Sequence, residues 1–213
     1  MTILPPTRAG RIRLAILLAI FFGAAAFFRP DRFLAAMFYD KREGDIVFQS
    51  LPAGPLTEAI EGISESPWSH CGVLVRERGK WMVAEAISDV HLTPLDQWVM
   101  RSRHCRFAAY RVNTMSIEAV PKLRRELDAF MGKPYDYNYA PDDSEIYCSE
   151  LVFKAFERAL GIRVGKWDRL GNLNWKPFEK FIRSMESGGL PLEREMITPV
   201  ALTRSPLVHA VVR

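Results

Sequence analysis

The stretch that decides the fold is EIYCSELVFKAFERALG, residues 145–161, in which a cysteine with polar neighbours precedes an apolar-periodic run. The periodicity predicts a helix that ends at Gly161, and the preceding segment 142–144 offers two aspartates and a serine as N-caps. Whichever residue caps the helix, Cys148 lies in or beside the first turn, near unpaired N–H groups and the positive end of the helix dipole. A thiol in that position tends toward thiolate, which favours a reactive cysteine over an inert packing residue.

The composition is that of a folded domain with an unusual N-terminus. The chain has 213 residues, of which 48% are hydrophobic and 25% are charged, as expected for one domain with a full core. Its net charge is +4, but the only charged residues before residue 27 are Arg8, Arg11 and Arg13, which leaves +1 for the rest of the chain. No basic stripe is present, so we expect no nucleic-acid partner.

The N-terminal segment has the pattern of an export signal. Fifteen uncharged residues, Leu14–Phe28, follow the arginines; this run is short for a membrane span, which needs about 20 residues. It suits a secretory signal with a small-residue cleavage site at Ala24-x-Ala26, and an uncleaved anchor is the alternative. Either form predicts a protein of the periplasm or the outer face of the cytoplasmic membrane, associated with the membrane through this segment if it is retained. The predicted organisation is a signal peptide or membrane anchor (1–26), a connector that lies on the membrane or packs on the domain (27–43), and the main domain (44–213).

The rest of the chain combines short β-prone runs with helical patterns. Strands are predicted over 45–50, 69–75, 81–86, 106–112 and 207–212, and helices over 56–63, 116–132, the cysteine-containing stretch and 178–185. Because the strands mostly precede and surround segregated helices, the predicted fold class is α+β with an antiparallel sheet.

The best candidate base for Cys148 is His70, which opens the first strand of a predicted hairpin. A lone strand histidine is more often structural, but Glu85 stands in an otherwise apolar run on the second strand. An acid beside the imidazole would fix its tautomer and stabilise the imidazolium, as the third member of a triad does. The residues therefore predict a triad in the sequence order His70, Glu85, Cys148.

Whether His70 and Glu85 meet depends on the turn of this hairpin. A two-residue turn at 77–78 places them directly opposite each other. A four-residue loop at 77–80 shifts the partner by two positions and keeps both side chains on one face, because side chains alternate with period two. A three-residue loop would separate them and leave Asp89 or Asp45 as the orienting acid.

The cysteines indicate neither a disulfide framework nor a metal site. Their number is three, so an exported chain keeps at least one unpaired thiol. Cys71 and Cys105 either bridge or lie buried. Because no Cys/His spacing suggests zinc, we expect no metal and no organic cofactor.

Four motifs resemble those of the YiiX/YebB-like family, a circularly permuted branch of the NlpC-type, papain-like cysteine hydrolases that is distantly related to lecithin:retinol acyltransferase. They are WSHCGVLV (68–75), MVAEA (82–86), GKPYDYNY (132–139) and IYCSELVFKAF (146–156). The resemblance covers roughly residues 44–160 and implies a permuted papain-like fold for the domain.

The same resemblance implies roles for individual residues. It makes Cys148 the nucleophile, His70 the base and Glu85 the orienting acid, in agreement with the spacing. Tyr135 resembles a tyrosine that helps to form the oxyanion hole in NlpC-type enzymes, with Tyr137 and Tyr139 as close alternatives.

The predicted function is that of a cysteine hydrolase of the amidase or peptidase type, which cleaves a peptide or acyl-amide bond through a thioester at the cell envelope. The expected substrate is a small peptide, a cell-wall peptide or a lipid-acyl compound. One alternative is a lipid acyltransferase or thioesterase, and the other is a non-enzymatic acyl- or peptide-binding envelope protein.

Overall fold

A six-stranded antiparallel sheet organises the part of the chain that this computed structural model describes, residues 29–139 and 142–212. The strands are β1 (Ile46–Gln49), β2 (His70–Glu77), β3 (Lys80–Ala86), β4 (Val90–Pro94), β5 (Phe107–Val112) and, last in the chain, β8 (Val208–Val212). Their order across the sheet is β4-β3-β2-β1-β5-β8. A separate pair consists of β6 (Asp168–Arg169) and β7 (Glu195–Met196).

Helices cover both faces of the sheet. In the described residues they are α1 (Pro30–Phe38), α2 (Pro55–Ile63), α3 (Leu95–Arg101), α4 (Val120–Phe130), α5 (Cys148–Leu160), α6 (Glu179–Met185) and α7 (Pro199–Thr203), with 3-10 turns at Arg103–Cys105, Ile117–Ala119, Leu170–Asn172 and Lys176–Phe178. Alternate strand residues point to opposite faces, so Phe48 packs with α4 and α5 while Val47 packs with α1 and α3. The predicted α+β class with an antiparallel sheet is confirmed.

The helix that carries the cysteine begins later than the sequence predicts. α5 starts at Cys148, and its N-cap residue, Tyr147, makes no side-chain cap. The prediction of a cap within 142–144 is therefore wrong: these side chains bond to one another or to basic residues of α5 itself. The predicted end is correct, since Gly161 terminates the helix in the left-handed conformation with φ 69°.

The β2–β3 hairpin has the register of the four-residue-loop alternative. Arg76 pairs with Trp81, and the turn residues Arg78-Gly79 both have positive φ, 47° and 79°, as a type I′ turn requires. The alternative of a two-residue turn at 77–78 is therefore wrong. In the observed register His70 and Glu85 are offset by two positions, and they stay on one face.

The predicted connector contains α1, which packs on the domain through one side. Ala36 is fully buried, and Met37 lies against the core on the α3 face of the sheet, whereas Leu34 and Phe38 are exposed. Within the described range, none of the helices combines the length and apolarity needed to cross a bilayer. The predicted signal or anchor, residues 1–26, lies outside the described residues.

Candidate active site

Cys148 is the first residue of α5 and is 2% exposed. The apolar side of the helix, which includes Leu151, Val152 and Ala155, is fully buried against the sheet. This packing holds the thiol at the helix N-terminus, where unpaired N–H groups and the helix dipole favour negative charge. The predicted location in the first turn is confirmed.

His70 and Glu85 form a buried hydrogen bond. His70 Nε2 lies 2.5 Å from Glu85 Oε2, and the two side chains are 2% and 0% exposed. The prediction that they share a face within hydrogen-bonding reach is confirmed. Since Nε2 faces the carboxylate, Nδ1 is the ring nitrogen left for the Cys148 thiol, with which His70 also interacts.

The alternative orienting acids lie in other ion pairs. Asp89 Oδ1 is 3.0 Å from Nδ1 of His91. Asp45 Oδ1 accepts a 2.7 Å hydrogen bond from Arg111. Glu85 is therefore the acid that the structure places beside His70.

Donors from β4 and α3 hold the Glu85 carboxylate in place. Thr93 Oγ1 donates to Oε1 at 2.5 Å, while Trp98 Nε1 and Arg101 Nη2 donate to Oε2 at 3.0 and 2.6 Å. Burial alone would raise the pKa of Glu85, but the bonds to His70 and Arg101 lower that pKa to about 2. The acid is thus ionised and fixed in orientation. Sequence reasoning missed these partners; a Trp and an Arg three residues apart on one helix were the available signal.

The charges of the site favour a thiolate–imidazolium pair. A hydrogen bond from Cys71, followed by the charge of His70, holds the pKa of Cys148 well below its usual range despite the opposing effect of burial. Burial would lower the pKa of His70, but the charges of Cys148 and Glu85 raise it to about 9. Both shifts favour the thiolate–imidazolium form of the pair over the neutral form.

Cys71 is a neighbour of Cys148 and not only a core residue. Both its thiol and its backbone N–H interact with Cys148. Burial and the adjacent Cys148 raise the pKa of the Cys71 thiol well above its usual range, so that it stays a protonated donor. Cys71, Cys105 and Cys148 are all free and buried, so the first two do not bridge.

Two tyrosine hydroxyls lie near the thiol. Tyr135 is 7% exposed, its hydroxyl interacts with that of Tyr139, and burial raises the pKa of both tyrosines well above the usual value. Both rings line one cavity with Cys148. The ring of Tyr137 packs against that of Tyr135 with centroids 4.8 Å apart and the planes tilted by 54°, and Tyr137 is exposed at the rim. The structure thus offers Tyr135 and Tyr139 as protonated donors for an oxyanion.

An apolar groove with a cavity volume of about 80 Å³ opens on the thiol. One wall is α2, the second is α6, and the third is the segment 196–199. Sequence reasoning did not find this cavity.

Both sequence neighbours of Cys148 attach the third wall of the groove to the start of α5. The N–H of Ile197 donates to Tyr147 Oη at 3.0 Å, and Ser149 Oγ donates to the carbonyl of Ile197 at 2.7 Å. These bonds satisfy both the backbone N–H and the backbone carbonyl of the buried Ile197. They fix the groove relative to the thiol.

The chain is similar to known proteins of one family. A family model described as "permuted papain-like amidase enzyme, YaeF/YiiX, C92 family" matches residues 40–212. The uncharacterised protein YiiX of Escherichia coli (strain K12) is 31% identical over 181 residues, which cover 84% of this chain and 89% of that protein. The crystal structure of metalloprotein YiiX from Escherichia coli O157:H7 matches with a TM-score of 0.78 and 31% identity, over 82% of this chain and 98% of that one.

The second relative is described as a metalloprotein, and a protein-held metal ion needs several converging His, Cys, Asp or Glu ligands. Across 29–139 and 142–212, no three His, Cys, Asp or Glu side chains converge in a way that could hold a metal ion. The described residues therefore do not fit a metal held by the protein alone.

Proposed function

This chain belongs to the permuted papain-like amidase family of YaeF and YiiX, and from that membership we propose that it hydrolyses an amide bond through a Cys148 thioester at the cell envelope. The family match and the structural match confirm the predicted resemblance and the permuted papain-like fold. The observation that supports the proposal most directly is the buried 2.5 Å bond between His70 and Glu85, next to a thiol at a helix N-terminus.

In the first half-reaction the Cys148 thiolate attacks the amide carbonyl, and a C–S bond forms. The oxyanion that results is held by backbone N–H groups at the start of α5 and by the hydroxyl of Tyr135; one such donor contributes about 3 kcal/mol. The imidazolium of His70 gives its proton to the nitrogen as the C–N bond breaks, and the amine leaves.

In the second half-reaction neutral His70 takes a proton from water, which attacks the thioester. The C–S bond breaks, the acid is released and the thiolate is restored. Glu85 stays ionised throughout: it holds Nε2 of the imidazole and stabilises the imidazolium. Thr93, Trp98 and Arg101 prevent it from rotating.

The envelope location rests on the predicted signal or anchor in residues 1–26. The acyl-enzyme chemistry is independent of that location, so the two parts of the proposal have separate tests. For the location, intact-mass measurement of the protein from its native host identifies the N-terminus. A chain that starts near Phe27 indicates a cleaved signal, whereas a full-length chain in the membrane fraction indicates an anchor.

For the chemistry, purified full-length protein is incubated with 4-nitrophenyl acetate at neutral pH, quenched in acid and digested for peptide mass spectrometry. We expect one acetyl group on Cys148 in the wild type and none in Cys148→Ala. Cys105→Ala is the matched control, since it also removes a buried thiol and should still be acetylated. An unmodified Cys148 in the folded wild type would contradict the hydrolase function and favour the alternative of a binding protein.

A further inference from the structure

Two of the three walls of the apolar groove are helix faces without a covering layer. Leu56, Ile60 and Ile63 of α2 recur at helical spacing and are only partly buried, although all three are apolar. Across the groove, α6 presents Phe181 and Ile182. Apolar side chains that face an open cavity leave hydrophobic surface for a ligand to cover.

The width of the groove is fixed by one close contact. A Cβ built on Gly62 of α2 would lie 1.9 Å from Cζ of Phe178, so only glycine lets the ring pack against this helix. Phe178 ends the 3-10 turn that leads directly into α6. The two walls are therefore held together at one end as a defined slot.

The groove offers no free charge to a ligand. Apart from the thiolate, the charged side chains among its described lining residues are Glu186 and Arg194. They neutralise each other, because Arg194 Nη1 and Nη2 donate to the two oxygens of Glu186 at 2.5 and 2.9 Å. A peptide terminus or a charged side chain in this groove would lose its hydration without gaining a partner.

The half of the substrate that stays bound between the two half-reactions is the acyl group, since the amine must leave and water must enter. An apolar slot beside the thiol suits the retained half. Resting on the proposed hydrolase function, we propose that the groove binds an unbranched aliphatic acyl chain, so that the substrates are fatty-acyl amides and not wall peptides.

The test measures kcat/KM for a series of N-acyl 4-nitroanilides with acetyl, hexanoyl and decanoyl groups, using the full-length protein below the aggregation limit of the substrates. We expect kcat/KM to rise with chain length, by about fourfold for each methylene that enters the groove, which is the factor for about 0.8 kcal/mol. An isomeric pair, N-methyldecanamide and N-nonylacetamide, tests whether the groove binds the acyl half or the amine half of the substrate. We expect N-methyldecanamide, which has the long acyl chain, to be hydrolysed faster.

Groove-filling variants connect the preference to this cavity. Ile60→Trp and Ile63→Trp place a larger ring in the slot, and we expect each to lower the decanoyl-to-acetyl ratio of kcat/KM by at least tenfold. Ile117→Trp is the control, because Ile117 is 84% exposed and lies outside the groove; it should keep the wild-type ratio. Circular dichroism identifies any variant that fails to fold. If one of the two groove variants does not fold, the ratio measured for the other one tests the proposal.

Three outcomes would overturn the proposal. If kcat/KM does not change with acyl-chain length, or if N-nonylacetamide is hydrolysed faster, the groove does not bind the acyl chain. Acetylation of Cys148 would still support the hydrolase function in that case. If the decanoyl-to-acetyl ratio of kcat/KM is unchanged in folded groove variants, the acyl chain binds outside this groove. A Cys148 that accepts no acyl group from any donor removes the hydrolase and the acyl assignment together.

Discussion

Arg101 Nη2 donates to Oε2 of Glu85 at 2.6 Å, and the same oxygen contacts Nε2 of His70. Glu85 is fully buried and Arg101 is 28% exposed. One carboxylate thus links the proposed base to a cation on α3. Removing Arg101 would leave two histidines, His70 at 2.5 Å and His91 at 3.8 Å, as the ionisable neighbours of this buried carboxylate.

We therefore expect Arg101→Met to lower the free energy of unfolding by about 3 kcal/mol at pH 7, since removing one partner of a buried ion pair leaves the other poorly compensated. Urea unfolding measures this change. Arg163→Met is the control, because Arg163 is 76% exposed in its ion pair and such pairs contribute about 0–1 kcal/mol. Equal effects of the two substitutions would mean that Arg101 does not support the site.

The pH dependence of this effect has a definite sign. The pKa of Glu85 is lowered from an ordinary value of 4.5 to about 2. Its stabilising contribution is therefore fully present above pH 4.5 and is lost as the pH falls toward 2. In Arg101→Met the folded-state pKa of Glu85 should lie closer to 4.5, so that less stability is lost on acidification and the loss is complete at a higher pH than in the wild type. Urea unfolding at a series of pH values between 2 and 7 would show this.

His70→Ala should move the alkylation profile of Cys148 to higher pH. The charge of His70 is one of the causes that hold the pKa of Cys148 below its usual range, and alanine removes it. Iodoacetamide labelling across pH, read by peptide mass spectrometry, follows all three thiols at once. Cys148 should react first in the wild type.

His209→Ala is the control for this experiment, since His209 lies on the last strand and bonds to Asn113. Its profile should match that of the wild type. Two results would contradict the assignment of base and nucleophile. One is a pH profile of Cys148 labelling that does not change in His70→Ala, and the other is faster labelling of Cys71 than of Cys148.

Cys71 should tune the nucleophile through its hydrogen bond. This bond is the largest of the causes that lower the pKa of Cys148. Cys71→Ala should therefore shift the labelling profile of Cys148 to higher pH, while Cys71→Ser, which keeps a donor, should return it most of the way. Similar profiles for the alanine and serine variants would assign Cys71 to packing alone.

The sequence predicts the parts of the site that depend on local spacing. The helical period places Cys148 at the start of α5, and strand alternation brings His70 and Glu85 to one face whichever even loop forms. These arguments need only neighbouring residues. The N-cap prediction failed because segment 142–144 is held by basic side chains of α5 and by contacts within itself, which propensity does not include.

The remaining parts depend on contacts between distant segments. β4 and α3, which supply the partners of Glu85, follow one another in a stretch of mixed polarity that gives no clear period. The groove joins α2 to residues more than 110 positions later, and no pattern in either segment specifies the other. Cys71 meets Cys148 only because α5 packs on β2.

The final prediction concerns Gly72, which lies against the strand that carries Glu85. A Cβ built on Gly72 would lie 2.5 Å from Cγ1 of Val83, 2.7 Å from the carbonyl oxygen of Ala84 and 3.4 Å from Cβ of Glu85. The carbonyl oxygen belongs to the β3 backbone, so relief of the clash requires β3 to move away from β2. The same movement would lengthen the 2.5 Å bond between His70 and Glu85.

Gly72→Ala should therefore reduce the free energy of unfolding by about 1–3 kcal/mol, the usual range for overpacking, and lower kcat/KM for an acyl 4-nitroanilide even where the protein is fully folded. Gly188→Ala is the matched control, because a Cβ there meets nothing within 4 Å. Urea unfolding and steady-state kinetics on both variants separate the two effects. If Gly72→Ala behaves as Gly188→Ala does in both measurements, the close approach of the strands is not what sets the geometry of His70 and Glu85; if it loses stability but keeps full activity, the contact serves the fold alone.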